Sequence, residues 1–103
     1  MELETGCWMK KIRSLEGVKI VDFGWVVTGP AAAKFAANLG AEVIRIESNT
    51  RPDILRFAPP AKDGELGMNR SAMFTLYNDS KFGITLNLRM PQAREVAKRM
   101  IYN

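Results

Sequence analysis

Gly17–Ser48, GVKIVDFGWVVTGPAAAKFAANLGAEVIRIES, is the stretch that most limits what this chain can fold into. It reads as strand, glycine-bounded loop, helix, strand. Val18–Phe23 is a short, β-branched apolar run of the kind a buried strand uses. Gly24 and Gly29 bracket the loop that follows, and Pro30 suits the first position of a helix, where a missing N–H costs nothing. Ala32, Phe35, Ala36 and Leu39 recur at helical spacing, which makes them the expected buried stripe, with Lys34 and Asn38 on another face. Gly40 can take the left-handed turn that ends such a helix. Glu42–Glu47 carries Val43, Ile44 and Ile46 and reads as the second strand. A βαβ unit of this kind has parallel strands and a right-handed crossover. Ligands of such folds bind beyond the carboxyl ends of the strands, here the Gly24–Gly29 loop and the segment after Glu47.

Bulk properties exclude several classes. A chain of 103 residues has room for one small domain, and 47% hydrophobic with 25% charged residues is a globular balance rather than that of a disordered tail or a membrane protein. No apolar run approaches the roughly 20 residues that cross a bilayer. The start, with Met9-Lys10-Lys11, lacks the apolar core of a signal peptide. Met9 is a candidate alternative start, which would make Met1–Trp8 a dispensable leader. Cys7 is the single cysteine, so no internal disulfide forms, and a cytoplasmic location is expected. Histidine is absent, which removes Ser-His and Cys-His pairs and the usual zinc sites from this chain. The net charge of +4 is modest. Arg89, Arg94, Lys98 and Arg99 form either a solvated helix face or a contact to a phosphate-bearing ligand. Aromatic residues do not interleave with them, which argues against nucleic acid as a partner.

The rest of the chain extends the α/β pattern. Residues 1–16 read as a peripheral leader, with Trp8 and Ile12 expected on the sheet edge. Ser48–Arg70 is rich in Pro, Gly, Asp and Asn and reads as a long loop of the functional kind. Ser71–Tyr77 is a short helix opened by Ser71, and Asn78–Phe82 is a polar turn. Gly83–Leu88 alternates as a third strand. Pro91 opens a last helix whose apolar stripe is Ala93, Val96, Ala97, Met100 and Ile101, with Glu95 and Arg99 paired at i, i+4. The expected fold is therefore α/β: a Rossmann-like parallel sheet with flanking helices, incomplete, over residues 17–103. Three strands with so few helices leave apolar surface uncovered, so the chain reads as the front part of a longer protein or as dependent on a partner.

Common nucleotide motifs fail. Gly24–Gly29 has P-loop spacing, but Pro30 and Ala31 stand where lysine and a hydroxyl residue are needed. The dinucleotide fingerprint is absent, although Glu47 lies where a ribose-binding acid sits in NAD folds; an exposed strand-end carboxylate is the alternative. With Pro30 at the helix start, the N–H groups of Ala31, Ala32 and Ala33 would be unpaired and open to a ligand. The same alanines could simply let helix and sheet pack closely.

A set of ordered motifs goes further: L-E-G-V-K-I-V-D-F (Leu15–Phe23), T-G-P (Thr28–Pro30), L-G-A-E-V-I-R-I-E (Leu39–Glu47), R-P-D-x-x-R (Arg51–Arg56), N-x-x-K (Asn78–Lys81) and I-T-L-N-L (Ile84–Leu88). In that order, and ahead of a helix opened by Pro91, they resemble the amino end of the family III CoA-transferases, the formyl-CoA transferase, carnitine CoA-transferase and bile-acid-inducible F group. D-F-G-W before T-G-P, and R-P-D followed by P-P, look most like the members acting on succinyl-CoA and benzylsuccinate. The resemblance runs from Leu15 to the end. It implies a larger Rossmann-like domain, a small domain and an interlocked homodimer in the whole protein. It implies coenzyme A or acyl-CoA as substrate, a carboxylic acid as the other partner, and no metal. It also implies an aspartate that attacks the thioester to give a mixed anhydride and free CoA thiolate, placed beyond this stretch. No catalytic residue is assigned here; Asp22 matches a strand aspartate and not the nucleophile.

Binding residues follow from the same resemblance. Trp25, Val26, Val27 and Thr28 precede or begin T-G-P and would face the thioester and pantetheine. Ser48 stands where a basic residue often reaches a CoA phosphate, with Arg45 or Arg51 as possible substitutes. Leu86 and Arg89 match residues that contact the adenosine part. Phe82 replaces a usual arginine, and Met90 replaces a capping Thr or Ser before Pro91. The alternatives are a catalytically silent truncated CoA-binding fragment, an α-methylacyl-CoA racemase segment sharing the same pattern, and an NAD-type domain, which the glycine spacing disfavours.

Overall fold

A computed structural model describes residues 13–103, so the expected packing of Trp8 and Ile12 lies outside the described residues. Three strands form one parallel sheet in the order β1 (Lys19–Asp22), β2 (Glu42–Glu47), β3 (Phe82–Thr85). Ile20 pairs with Val43 and Asp22 with Arg45, while Ile46 pairs with Ile84. The helices are α1 (Thr28–Asn38), α2 (Ala72–Asn78) and α3 (Pro91–Tyr102), and two 3-10 turns, Ile54–Phe57 and Lys62–Gly64, break the long loop after β2. The open parallel sheet with flanking helices is the architecture expected from the sequence.

Helix α1 differs from expectation in two ways. It begins at Thr28, so Pro30 is its third residue and is buried. Ala31 N–H already donates to Val27 O at 2.8 Å. Ala32 and Ala33 lie past the first turn, so the anion-facing run of alanine N–H groups is not formed. The buried stripe is also rotated by one residue: Pro30, Ala33 and Ala37 face the sheet, and Phe35 is 72% exposed. This helix is apolar almost all round, so periodicity alone does not choose its inner face. Close approach does, because alanines let helix and sheet meet where a phenyl ring would hold them apart. Ala33, Ala37, Ala41 and Val43 form the core, with Leu15, Ile20 and Ala36 packed against it.

Gly40 ends α1 as expected. Its φ is 107°, Gly40 N–H donates to Ala37 O and Ala41 N–H donates to Ala36 O, both at 3.0 Å. These are the two bonds of a Schellman motif. Arg13 packs on this glycine so closely that a Cβ there would lie 2.5 Å from the Arg13 Cβ.

Strand β3 is shorter than Gly83–Leu88 and starts one residue earlier, at Phe82. Leu86 N–H still donates to Glu47 O at 2.9 Å, but Asn87 Oδ1 then accepts from Arg89 N–H and turns the chain. Ser71 caps α2 as expected, accepting from Phe74 N–H at 3.2 Å. Helix α3 starts at Pro91 with no side-chain cap from Met90. Its stripe is only partly covered: Ala97 is buried, and Ile101 is 56% exposed. Ile44, on the sheet face opposite Val43, borders a groove with Val96 and Met100, so α1 and α3 take opposite faces. The expected Glu95–Arg99 pair is replaced by Lys98–Glu95 at 3.2 Å, with both side chains exposed. Among the described residues, no helix is long and apolar enough to cross a membrane.

Candidate functional site

The carboxyl ends of the strands meet at a cleft of about 500 Å³. Segments that leave the strands supply most of the lining, with Phe23 and Trp25 after β1, Ser48, Thr50 and Arg51 after β2, and Leu86 to Arg89 after β3, and Ile46 and Glu47 at the end of β2 complete it. Of the residues singled out in the sequence, Trp25, Ser48, Leu86 and Arg89 line this cleft together. Val26, Val27 and Thr28 do not line it; they continue the loop into the start of α1.

Two cations border the cleft, Arg51 and Arg89. The Arg51 guanidinium lies 5.4 Å from the centre of the Trp25 ring, a cation–π distance that leaves its N–H edges available. Thr50 and Ser48 hydroxyls are 2.9 Å apart, and Thr50 N–H donates to Ser48 Oγ, which shapes the turn leading to Arg51. The walls are apolar and polar in about equal parts, and an apolar surface beside two cations suits a ligand with a flat apolar part and anionic groups.

Arg45 is not one of those cations. Its side chain is 4% exposed and its Nη2 donates to Asp53 Oδ2 at 2.5 Å. Of the two substitutes for a basic residue at Ser48, only Arg51 reaches the cleft. Neither reading of Glu47 holds. It is neither exposed nor free for a ribose: Arg56 grips it through Nε and Nη2 at 2.7 and 2.6 Å, and Asp53 N–H donates to it at 2.9 Å. Burial alone would push the Glu47 carboxyl up. The Arg56 hydrogen bonds, the Asp53 N–H and the charges of Arg56 and Arg45 outweigh it and hold the group below its ordinary 4.5.

Behind the cleft lies a buried polar network whose roles sequence reasoning missed. Lys81, with a side chain 1% exposed, donates to Asp22 Oδ2 and Pro30 O at 2.9 Å and to Asn78 Oδ1 at 3.1 Å. Asn78 Oδ1 also accepts from Arg45 Nη1 at 2.8 Å. Asp22 Oδ1 accepts from Gly24 N–H at 2.7 Å. The signal was present: an arginine inside the apolar run Val43–Ile46 and an aspartate ending Ile20–Asp22 are costly to bury unpaired.

A family model for CoA-transferase family III matches residues 15–103. The chain is 34% identical over 85 residues to a cinnamoyl-CoA:phenyllactate CoA-transferase of Clostridium sporogenes, covering 82% of this chain and 20% of that protein. It is 35% identical over 89 residues to a formyl-CoA:oxalate CoA-transferase of Bradyrhizobium sp. (strain ORS 278), covering 86% of this chain and again 20% of the relative. The crystal structure of a CAIB/BAIF family protein from Brucella suis superposes with a TM-score of 0.74 at 30% identity, over 88% of this chain and 24% of that one. The chain thus spans about a fifth of the length of the curated relatives it matches. With motifs, fold and matched residues in agreement, the chain belongs to CoA-transferase family III.

Proposed function

We propose that this chain supplies part of the coenzyme A-binding surface of an acyl-CoA:carboxylate CoA-transferase, with the nucleophilic aspartate in a part of the protein beyond it. The observation that carries the reading is the cleft at the strand ends, which gathers Trp25, Ser48, Leu86 and Arg89 from three separate segments. Phe23, Trp25 and Leu86 offer an apolar surface to a purine, and Arg89 and Arg51 offer charge to phosphates. The loop Val26–Thr28, alongside, is assigned to the pantetheine arm. The partners of the whole protein are an acyl-CoA and a carboxylic acid, and its assembly is an interlocked homodimer. Exposed Phe35 and Ile101 support further packing on both helices.

Calorimetric titration with CoA tests this. A charge-assisted bond from arginine to phosphate is worth roughly 1.5–3 kcal/mol. Arg89→Ala should therefore weaken CoA binding by about one to two powers of ten. In the whole enzyme it should raise KM more than it lowers kcat, because phosphates are bound alike in ground and transition states. Val27→Trp should obstruct the pantetheine path without changing the salt dependence. Unchanged affinity for Arg89→Ala removes that residue from the site.

A further inference from the structure

Two buried carboxylates hold the Gly24–Gly29 loop, one at its neck and one at its crown. At the neck, Gly24 N–H donates to Asp22 Oδ1 at 2.7 Å, and a Cβ on Gly29 would lie 3.0 Å from Gly24 Cα. The two backbones touch, so the loop closes on itself. At the crown, Val26 has a φ of 62°, in the left-handed region that a β-branched residue enters only at a cost. Its N–H points at both oxygens of Asp53, 3.2 and 3.3 Å away, across 27 residues of sequence. Asp53 is fully buried, at 0% exposure, and is itself fixed by Arg45 Nη2 and by Leu55 N–H at 3.0 Å. Arg45 and Lys81 share Asn78 Oδ1, and Lys81 grips Asp22, so one chain of bonds joins crown to neck.

We infer that Asp53 is a positioning residue for the ligand cleft: its carboxylate holds Val26 in the left-handed conformation and so fixes Trp25 in the cleft wall. Trp25 is the residue between neck and crown, and its ring lies under Arg51. The charges of the network balance, with Asp22, Asp53 and Glu47 against Arg45, Arg56 and Lys81, so its cations are spent inside the fold rather than offered to a ligand. A strained residue held by its surroundings beside a binding surface is the pattern expected of a preorganised site. The consequence for ligand affinity rests on the coenzyme A reading above; the consequence for the loop does not.

The test uses this chain with Trp8→Phe, so that Trp25 is the single tryptophan, and three readouts: amide exchange of Val26, acrylamide quenching of Trp25 and CoA affinity. Asp53→Asn keeps the shape and removes the charge. Leaving Arg45 without its carboxylate lowers global stability, which the core amide of Val43 reports, and Val26 exchange should quicken by about tenfold beyond the quickening at Val43. Quenching of Trp25 should rise, and the CoA Kd should increase by about tenfold. Adding Val26→Gly should restore the quenching and at least half of the lost affinity on a logarithmic scale, because glycine takes a positive φ without a clamp. Equal quickening at Val26 and Val43, with no rescue by Val26→Gly, overturns the inference and leaves Asp53 a general stabiliser. Should Asp53→Asn not fold, the otherwise unchanged chain and Val26→Gly decide. A Val26 amide that exchanges at the rate of exposed loops, or a Val26→Gly chain with lowered thermal stability, also overturns it. Absence of CoA binding by the unsubstituted chain defeats the ligand reading alone, since exchange and quenching still report on Asp53.

Discussion

Lys81→Met should be among the most damaging single changes outside the apolar core. The side chain is 1% exposed and all three of its donors are used, on Asp22, Pro30 and Asn78. Methionine fills similar space but leaves Asp22 buried with Gly24 N–H at 2.7 Å and an Arg45 nitrogen no closer than 4.0 Å. Breaking a buried pair by removing one partner costs about 3–5 kcal/mol, because the remaining charge is uncompensated. A domain of this size has about 5–15 kcal/mol in all. At a urea slope of about 1–2 kcal/mol/M, the unfolding midpoint should fall by roughly 1.5–5 M. The companion variant Asp22→Asn/Lys81→Met carries no orphaned charge and should recover at least half of the loss. Urea denaturation followed by far-UV circular dichroism, run as a double-mutant cycle, measures both. A cost below about 1 kcal/mol, the level of a surface pair, or strict additivity in the double variant would refute the reasoning.

Gly24→Ala should open the loop neck, because a Cβ there meets Asp22 Oδ1 at 2.8 Å and Pro30 Cδ at 2.9 Å; a loss of roughly 1–3 kcal/mol in thermal or urea unfolding is expected, and a neutral effect argues against the tight neck. Glu47, held below 4.5, binds its proton less tightly folded than unfolded, so its contribution is complete above the unfolded value and is lost as pH falls through the folded one. Stability should therefore drop on the acid side of pH 4.5, and Glu47→Gln should flatten that drop; an identical acid profile for both proteins contradicts it. The chain by itself should self-associate through exposed Phe35, Phe82 and Ile101 and the edge of β3, unpaired among the described residues, and Phe35→Ser with Phe82→Ser should shift sedimentation toward monomer. A monodisperse, monomeric unsubstituted chain contradicts this.

Periodicity and punctuation were enough to place the βαβ unit and the start of the last helix, because Gly40 and Pro91 act through local backbone geometry that no distant contact has to supply. The inner face of α1 was not legible. Ala32, Phe35, Ala36 and Leu39 match helical spacing as well as Pro30, Ala33 and Ala37 do, and the choice is made by how near β2 can approach. The end of β3 was lost for a similar reason: Leu86 and Leu88 continue the alternation, but the Asn87 side chain competes for the backbone and turns it. Motif resemblance singled out four residues that line the cleft, whereas the choice of Arg51 over Arg45 as a cation bordering it needed the fold, which shows Arg45 held by Asp53. That pairing spans a loop whose path composition does not specify. Charged residues in apolar strands announce that partners exist, and only the fold says which.

The central claim is that the cleft at the strand ends is a coenzyme A surface, and the most direct measurement is the change in backbone amide resonances as CoA is added to the isotopically labelled chain. Saturable shifts should concentrate at Trp25, Ser48, Leu86 and Arg89, which line the cleft from three separate segments. Absence of shifts at millimolar CoA, or shifts confined to the groove of Val96 and Met100 beside α3, would contradict it.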